Sequence, residues 1–307
     1  MRRENDYREN KVLLLTNKGA EAQPLMELLL SSDLRPYVFG TPKRSDVKVW
    51  MKYGHVRVGG VVATRHDTPV APGEEVALNL TRPWPRLAHP RLKIVYEDDD
   101  IIVVNKGYGL LSVGTGSAKK LETAYGILKR YVKQDHPSEK IFVVHRLDRE
   151  TSGIMMYAKD EKTQHTLRDN WHDIVYDRRY VSIVMGDMEK DQGTVRSWLT
   201  DRKLYVSSSP VDDGGKLSIT HYRTIKRANG YSLMELQLET GRKNQIRVHM
   251  QSLGHPVVGD ARYGCETDPL GRLALHAFKL CFRHPVTGEL MQFETPYPGE
   301  FKKLVLK

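Results

Sequence analysis

The chain has 307 residues, 39% hydrophobic and 28% charged, which suits one large domain or a large domain with a small appendage and excludes a minimal module. No apolar run reaches the length of a membrane span, and "MRRENDYREN" followed only by the short "VLLLT" lacks the pattern of a secretory leader, so a cytoplasmic protein without membrane contact is expected. Two cysteines, Cys265 and Cys281, supply neither a disulfide framework nor metal spacing and suit a reducing compartment, while 48 Lys+Arg against 38 Asp+Glu leave a net charge of +10 that points to a polyanion, nucleic acid first.

In chain order, "PLMELLL" reads as a short helix and "RSDVKVWMKYGH" as a second, opened by Ser45 as N-cap with Val47, Trp50 and Met51 turned to a core. "HVRV", Gly59-Gly60 and "VVAT" form a two-residue hairpin signal, and "PGEEVALN" adds a turn and a strand. Lys43, Arg44, Lys48, Lys52, Arg57 and Arg65 crowd around this second helix and hairpin, which makes the charge local; a solvated helix face and an RNA-binding face both account for it.

Three prolines in "TRPWPRLAHP" stiffen a connection, so residues 1–82 are read as a small N-terminal domain, 83–92 as a linker and 93–307 as the main domain. In the main domain "LKIVYEDDDIIVVNK" reads as two strands, "TAYGILKRYVK" as a helix, and "IFVVH" and "GIMMYAK" as strands. "ITHYRTIKR" and "YSLMELQLE" flank Asn229-Gly230 as the clearest hairpin, and "LALHAFKLCFRH" with "LMQFETP" makes another. Strands joined mostly by hairpins predict an α+β fold: a large mixed, mainly antiparallel sheet with flanking helices, plus the small α/β domain in front. "GTGS" at 114–117 lacks the third glycine of a dinucleotide fingerprint and reads as a flexible loop, and twelve histidines contain no His-Glu-x-x-His and no Cys/His pairing at zinc spacing, so no metal is expected.

"HRLDRETSG", 145–153, joins two of these strands and sets Asp148 between Arg146 and Arg149, charges that favour its ionised form. "ETGRKNQIRVHMQSLGHPVVGD" reads as a turn and a helix with Ile246, Met250 and Leu253 as its buried stripe, Gly254 past its end, and Arg247 beside the stripe. Arg242 and Arg247 can therefore close over the aspartate from a second element. On local residues alone, a solvated loop aspartate and a held reactive carboxylate both stay open.

These two segments and "YEDDDIIVVNK" resemble, in order and spacing, the signature segments of the RluA-type family of pseudouridine synthases over roughly residues 90–300. The stretch "RSDVKVWMKYGHVRVGG" to "PGEEV" resembles the small S-four-like RNA-binding domain. The resemblance implies a cofactor-free isomerase that detaches a uracil from ribose at nitrogen and rejoins it through carbon five. It implies Asp148 as the catalytic aspartate, attacking the anomeric carbon or removing a neighbouring proton; Arg247 as the arginine that pairs with it; and Tyr180, in "RRYVSIVMG", as the tyrosine packed on the target base. Arg146, Arg149 and Arg242 join Lys43, Arg44, Lys48, Lys52 and Arg57 as expected RNA contacts. A monomer acting on structured RNA is expected, ribosomal RNA being favoured over transfer RNA; the alternatives are a transfer-RNA synthase and a ribosome-assembly factor whose catalysis is secondary. The chain departs from the family pattern at Lys243 and Asn244 (usually Thr and His), Met250 (Leu), Arg178 (Lys) and Gly107 (Pro), which bears on RNA contacts and leaves the aspartate, arginine and tyrosine in place.

Overall fold

The computed structural model describes residues 12–32, 34, 41–80, 84, 87, 89–114, 122–133, 138–202 and 205–305. They fall into two compact units, Met1–Ala88 and His89–Lys307. Among them no helix is long and apolar enough to cross a membrane. The expected "GTGS" loop lies, from residue 115 on, outside the described residues.

The first unit runs β1 (Val12–Thr16), β2 (Gln23–Pro24), α1 (Leu25–Ser31), α2 (Arg44–Lys52), β3 (Val56–Val58), β4 (Val61–Val62), β5 (Pro69–Val70) and β6 (Glu75–Asn79). Four strands form an antiparallel sheet in the order β1-β6-β3-β4, and β2 pairs with β5. Gly59 and Gly60 both take positive φ, as the tight β3–β4 turn requires. Val47 and Met51 of α2 are buried beside Leu25, Leu29, Val56 and Leu78, and Trp50 packs against them. α2 opens two residues earlier than expected: Lys43, not Ser45, is its N-cap, because the Asp46 carboxylate accepts the Lys43 backbone N–H at 2.8 Å. "VLLLT" pairs with β6 over five residues as an edge strand, with Leu14 62% exposed.

The second unit continues with β7 (Leu92–Glu97), β8 (Ile101–Lys106), α3 (Ala124–Val132), β9 (Phe142–Val143), β10 (Ser152–Ala158), α4 (Glu161–Asp169), α5 (Trp171–Ile174), β11 (Val175–Met185), β12 (Gln192–Asp201), β13 (Val206–Ser209), β14 (Lys216–Ala228), β15 (Tyr231–Leu238), α6 (Gln245–Ser252), β16 (Leu275–Arg283), β17 (Leu290–Glu294) and α7 (Gly299–Val305). β7 starts inside the stretch read as linker, since Leu92 is fully buried and paired with Lys106. Eleven strands form one sheet in the order β13-β12-β14-β15-β11-β16-β10-β8-β7, with β17 on β16 and β9 on β10. The β14–β15 hairpin turns on Asn229 (φ 59°) and Gly230 (φ 73°). Strand β9 covers only two residues of "IFVVH", and α6 buries Ile246, Val248, His249 and Met250 but leaves Leu253, one residue past the helix, 36% exposed. Ser207, Ser208 and Ser209 lie in β13, where Ser208 Oγ donates to Ser197 Oγ at 2.9 Å.

Every strand pair in this sheet is antiparallel except β10–β16, a parallel seam of two residue pairs, Ser152–His276 and Gly153–Ala277. The strands approach so closely there that a Cβ on Gly153, whose φ is +122°, would lie 2.1 Å from the Ala277 carbonyl oxygen. A directed chain of hydrogen bonds stitches the seam. Arg272 Nη2 donates to Ser152 Oγ at 2.6 Å, Ser152 Oγ meets His276 Nδ1 at 2.8 Å, and His276 Nε2 meets Thr295 Oγ1 at 2.9 Å. With the serine oxygen accepting from arginine, its proton goes to Nδ1, and His276 is the neutral Nε2–H tautomer. His249 is buried likewise between Ser197 Oγ (3.0 Å) and Thr220 Oγ1 (2.8 Å).

Two tests follow. Gly153→Ala should destabilise the protein by at least about 3 kcal/mol in denaturant unfolding, since neither backbone can yield at the seam; a change below 1 kcal/mol would show a looser crossing. Burial pushes His249 down to about 4, and burial with the Arg272 charge does the same for His276. The unfolded chain therefore binds more protons than the folded one between pH 4 and about 6.5, so stability falls as pH drops through that window. The cost is about 1 kcal/mol per histidine at pH 5.5 relative to pH 8, readable as a lower Tm.

Candidate active site

The segment between β9 and β10 carries the Asp148 loop, and its conformation is dictated from behind. Leu147 is buried and gripped by one side chain: Ser112 Oγ donates to the Leu147 carbonyl at 2.7 Å and accepts its N–H at 3.2 Å. Tyr157 of β10 in turn donates to the Ser112 carbonyl at 3.0 Å. Lys106, at the end of β8 and 0% exposed, donates to the carbonyls of Gly107 (3.0 Å), Leu110 (2.9 Å) and Arg149 (3.2 Å). Burial pulls its pKa down to about 7 against the attraction of Glu150 and Asp148. The loop closes as a four-residue turn, Thr151 N–H to the Asp148 carbonyl at 3.1 Å. His145 Nε2 accepts the Met156 N–H at 3.0 Å and burial drives its pKa to about 3, so this histidine anchors the loop as a neutral ring.

Held this way, half-buried Asp148 lines a cavity of about 780 Å³. Strand β11 contributes Arg178 and Tyr180; the turn after β15 and the start of α6 contribute Arg242, Lys243, Asn244 and Arg247; α4 and α5 contribute Arg168 and Trp171. The three residues expected to work together thus share one cavity. Tyr180's pKa is raised, by burial first and then by the Asp148 charge, with Arg178 opposing, so its phenol keeps its proton at neutral pH.

Arg247 does not pair as expected. Its Nε and Nη2 donate to the two carboxylate oxygens of Asp260 at 2.6 Å each, its Nη1 donates to Asn244 Oδ1 at 3.1 Å, and its guanidinium lies 4.9 Å from the Tyr263 ring centroid. No ion pair joins it to Asp148 among the described residues. The reason is geometric: Asp260 is buried at the head of a short 3-10 turn (Ala261–Tyr263), and it offers a planar carboxylate to a planar fork. Burial disfavours the Arg247 charge, but the hydrogen bonds and charge of Asp260, with Asp148 adding to them, leave its pKa raised. Asp148 therefore feels Arg247 through the cavity and keeps its own oxygens available.

Of the other expected contacts, Arg146 and Arg242 are exposed residues of the cavity lining. Arg149 turns away, donating to the Gly109 carbonyl at 3.3 Å and pairing with Glu150 at 3.4 Å. In the first unit Lys43, Arg44, Lys48 and Lys52 are exposed on α2 or at its start; Arg57 stacks at 4.8 Å on Trp84, and its buried Nε has no hydrogen-bond partner among the described residues. Trp171, Arg168, Asp260, Ser112 and the Lys243–Asp201 pair (2.8 Å) were given no role from the sequence. A group with ligand spacing, Asp98, Asp100 and His284, lines no part of the cavity. Both ring nitrogens of His284 are already engaged, Nε2 with Asp98 and Nδ1 with the N–H groups of Val286 and Thr287.

A carboxylate able to act at a sugar carbon, a protonated phenol beside it and several uncompensated arginines suit chemistry on a nucleotide drawn out of RNA. Comparison with known proteins bears on this directly. The family profile described as RNA pseudouridylate synthase matches residues 100–252. An uncharacterized RNA pseudouridine synthase of Bacillus subtilis, YlyB, is 35% identical over 269 residues, covering 85% of this chain and 88% of its own. Ribosomal large subunit pseudouridine synthase D of Vibrio cholerae is 35% identical over 286 residues, covering 86% of each chain. Among solved structures, human RNA pseudouridylate synthase domain containing 4 superposes with a TM-score of 0.56 at 25% identity, over 68% of this chain and 89% of that one. The chain belongs to the RNA pseudouridine synthases of the RluA type, enzymes that isomerise uridine in RNA.

Proposed function

We propose that Asp148, Tyr180 and Arg247 carry the isomerisation, and that the substrate is a uridine in structured ribosomal RNA. The observation behind this reading is the state of the carboxylates at the cavity. Asp201 is held by Lys243, Asp260 is spent on Arg247, and Asp148 faces the cavity with neither oxygen in an ion pair among the described residues. Its carboxylate acts at the ribose, as nucleophile toward the anomeric carbon or as base toward the adjacent proton. Tyr180 walls the base and keeps a proton at the phenol. Arg247, locked by Asp260, holds positive potential over the departing uracil, whose nitrogen gains negative charge as its bond to the sugar breaks. The base turns, carbon five bonds to the anomeric carbon, and the proton lost from carbon five is matched by one taken up at the freed nitrogen, so the product is an isomer of the substrate.

The name of the Vibrio cholerae relative supports ribosomal over transfer RNA. The exposed cations of α2 supply phosphate contacts without reading sequence, an affinity that weakens with salt.

Mapping of pseudouridine in total RNA by carbodiimide-modified primer extension tests the reading. A site present with the wild type should vanish both in a deletion strain and with Asp148→Ala, whose turnover falls at least about 10³-fold. Persistence of every site in both strains would favour the assembly-factor alternative. Asp260→Asn should cost about 3 kcal/mol in stability by stranding Arg247, and should lower kcat more than it raises KM.

A further inference from the structure

Arg178 has no carboxylate partner among the described residues. Elsewhere in the second unit the arginines that leave bulk water find one: Arg247 has Asp260, Arg179 has Asp177 and Glu235, and Arg272 has Glu300. No ion pair of Arg178 exists among the described residues. Its Nη2 makes only long contacts with the carbonyls of Leu238 (3.5 Å) and Glu239 (3.3 Å), its guanidinium lies 5.6 Å from the Trp171 ring centroid, and its Nη1 makes no hydrogen bond among the described residues. Burial lowers its pKa, yet a guanidinium stays charged. The surroundings preserve its place: a Cβ on Gly241 would come within 2.9 Å of Nη1.

A sequestered guanidinium lacking an anion carries a desolvation cost that a ligand can offset. Arg178 and Tyr180 are two residues apart on β11 and both line the cavity, so their backbones are separated by about 6.6 Å along the strand. A group on the nucleotide seated against Tyr180 falls within reach. We infer that Arg178, with Trp171 behind it, is the binding site for a backbone phosphate next to the target uridine. The inference rests on the proposed action on RNA. It makes Arg178 a residue that seats the substrate, distinct from the three that act on the reacting atoms.

The test uses stem-loop RNAs containing the uridine that mapping identifies, each made with one uncharged methylphosphonate in place of the phosphate on the 5′ or 3′ side of that uridine. With the full-length wild type, one of the two substitutions should raise KM about tenfold or more while kcat stays within about threefold. Arg178→Gln should raise KM similarly on unmodified RNA and show no further rise on that methylphosphonate. Arg178→Lys should recover part of the loss. The dependence of log KM on log salt should flatten by about 0.7 in Arg178→Gln. If neither methylphosphonate affects the wild type, or if the variant and substrate penalties multiply, the inference is overturned while the functional reading stands. A wild type that forms no pseudouridine in any RNA overturns both.

Discussion

The second unit depends on a parallel seam two residue pairs long, where β10 meets β16. On one side stand β8, β7 and the Asp148 loop, which enters β10 directly; on the other stand β11 with Tyr180, then β15 and β14, on which α6 with Arg247 rests. Residues from both sides line the cavity, so the seam sets the distance between the carboxylate and its partners. A parallel contact this short gains little from ladder hydrogen bonds. Its rigidity comes from the missing side chain at Gly153, which lets the backbones touch, and from the hydrogen-bonded Arg272–Ser152–His276–Thr295 chain.

Charge placement follows from the same economy of partners. Two cavity-side cations are held by carboxylates inside the protein, Arg247 by Asp260 and Lys243 by Asp201, which fixes where their charge sits. Arg146, Arg242 and Arg178 have no such partner among the described residues and give the cavity its positive potential. Asp148 lies within that potential, and its influence is felt by Tyr180, Lys106 and Arg247 alike.

Much of this was legible in the sequence where a local rule sufficed. Asn229-Gly230 gave away the β14–β15 hairpin because that turn needs two positive φ values. The long signature segments marked Asp148, Tyr180 and Arg247, and the fold brings them to one cavity. What stayed hidden depends on tertiary context. Asp260 could not be told from any loop aspartate, because its ion pair with Arg247 forms only when the segment after α6 folds back. Helix α4 buries only Thr163 and Leu167, too few positions to reveal a helical period. In β12 a serine takes one of the two buried positions, Ser197 beside Leu199, to serve buried His249, and β13 buries only Val206, so a clean apolar alternation was not there to read. Ser45 lost the helix cap to a stronger acceptor one residue on, and Arg178 was visible as a departure two places before Tyr180, its meaning set by a neighbourhood without carboxylates.

The seam also orders events during synthesis. Ser152 and its partner His276 are separated by 124 positions, and Arg272 lies 120 beyond Ser152. A nascent chain exposes its aspartate loop long before the strand that must lock it exists, and closing so long an interval is slow compared with forming the hairpins on either side. The cavity therefore takes shape only after nearly the whole polypeptide has left the ribosome. Chains truncated before β16 contain Asp148, Tyr180 and Arg247 and lack the strand that joins the two sides of the cavity.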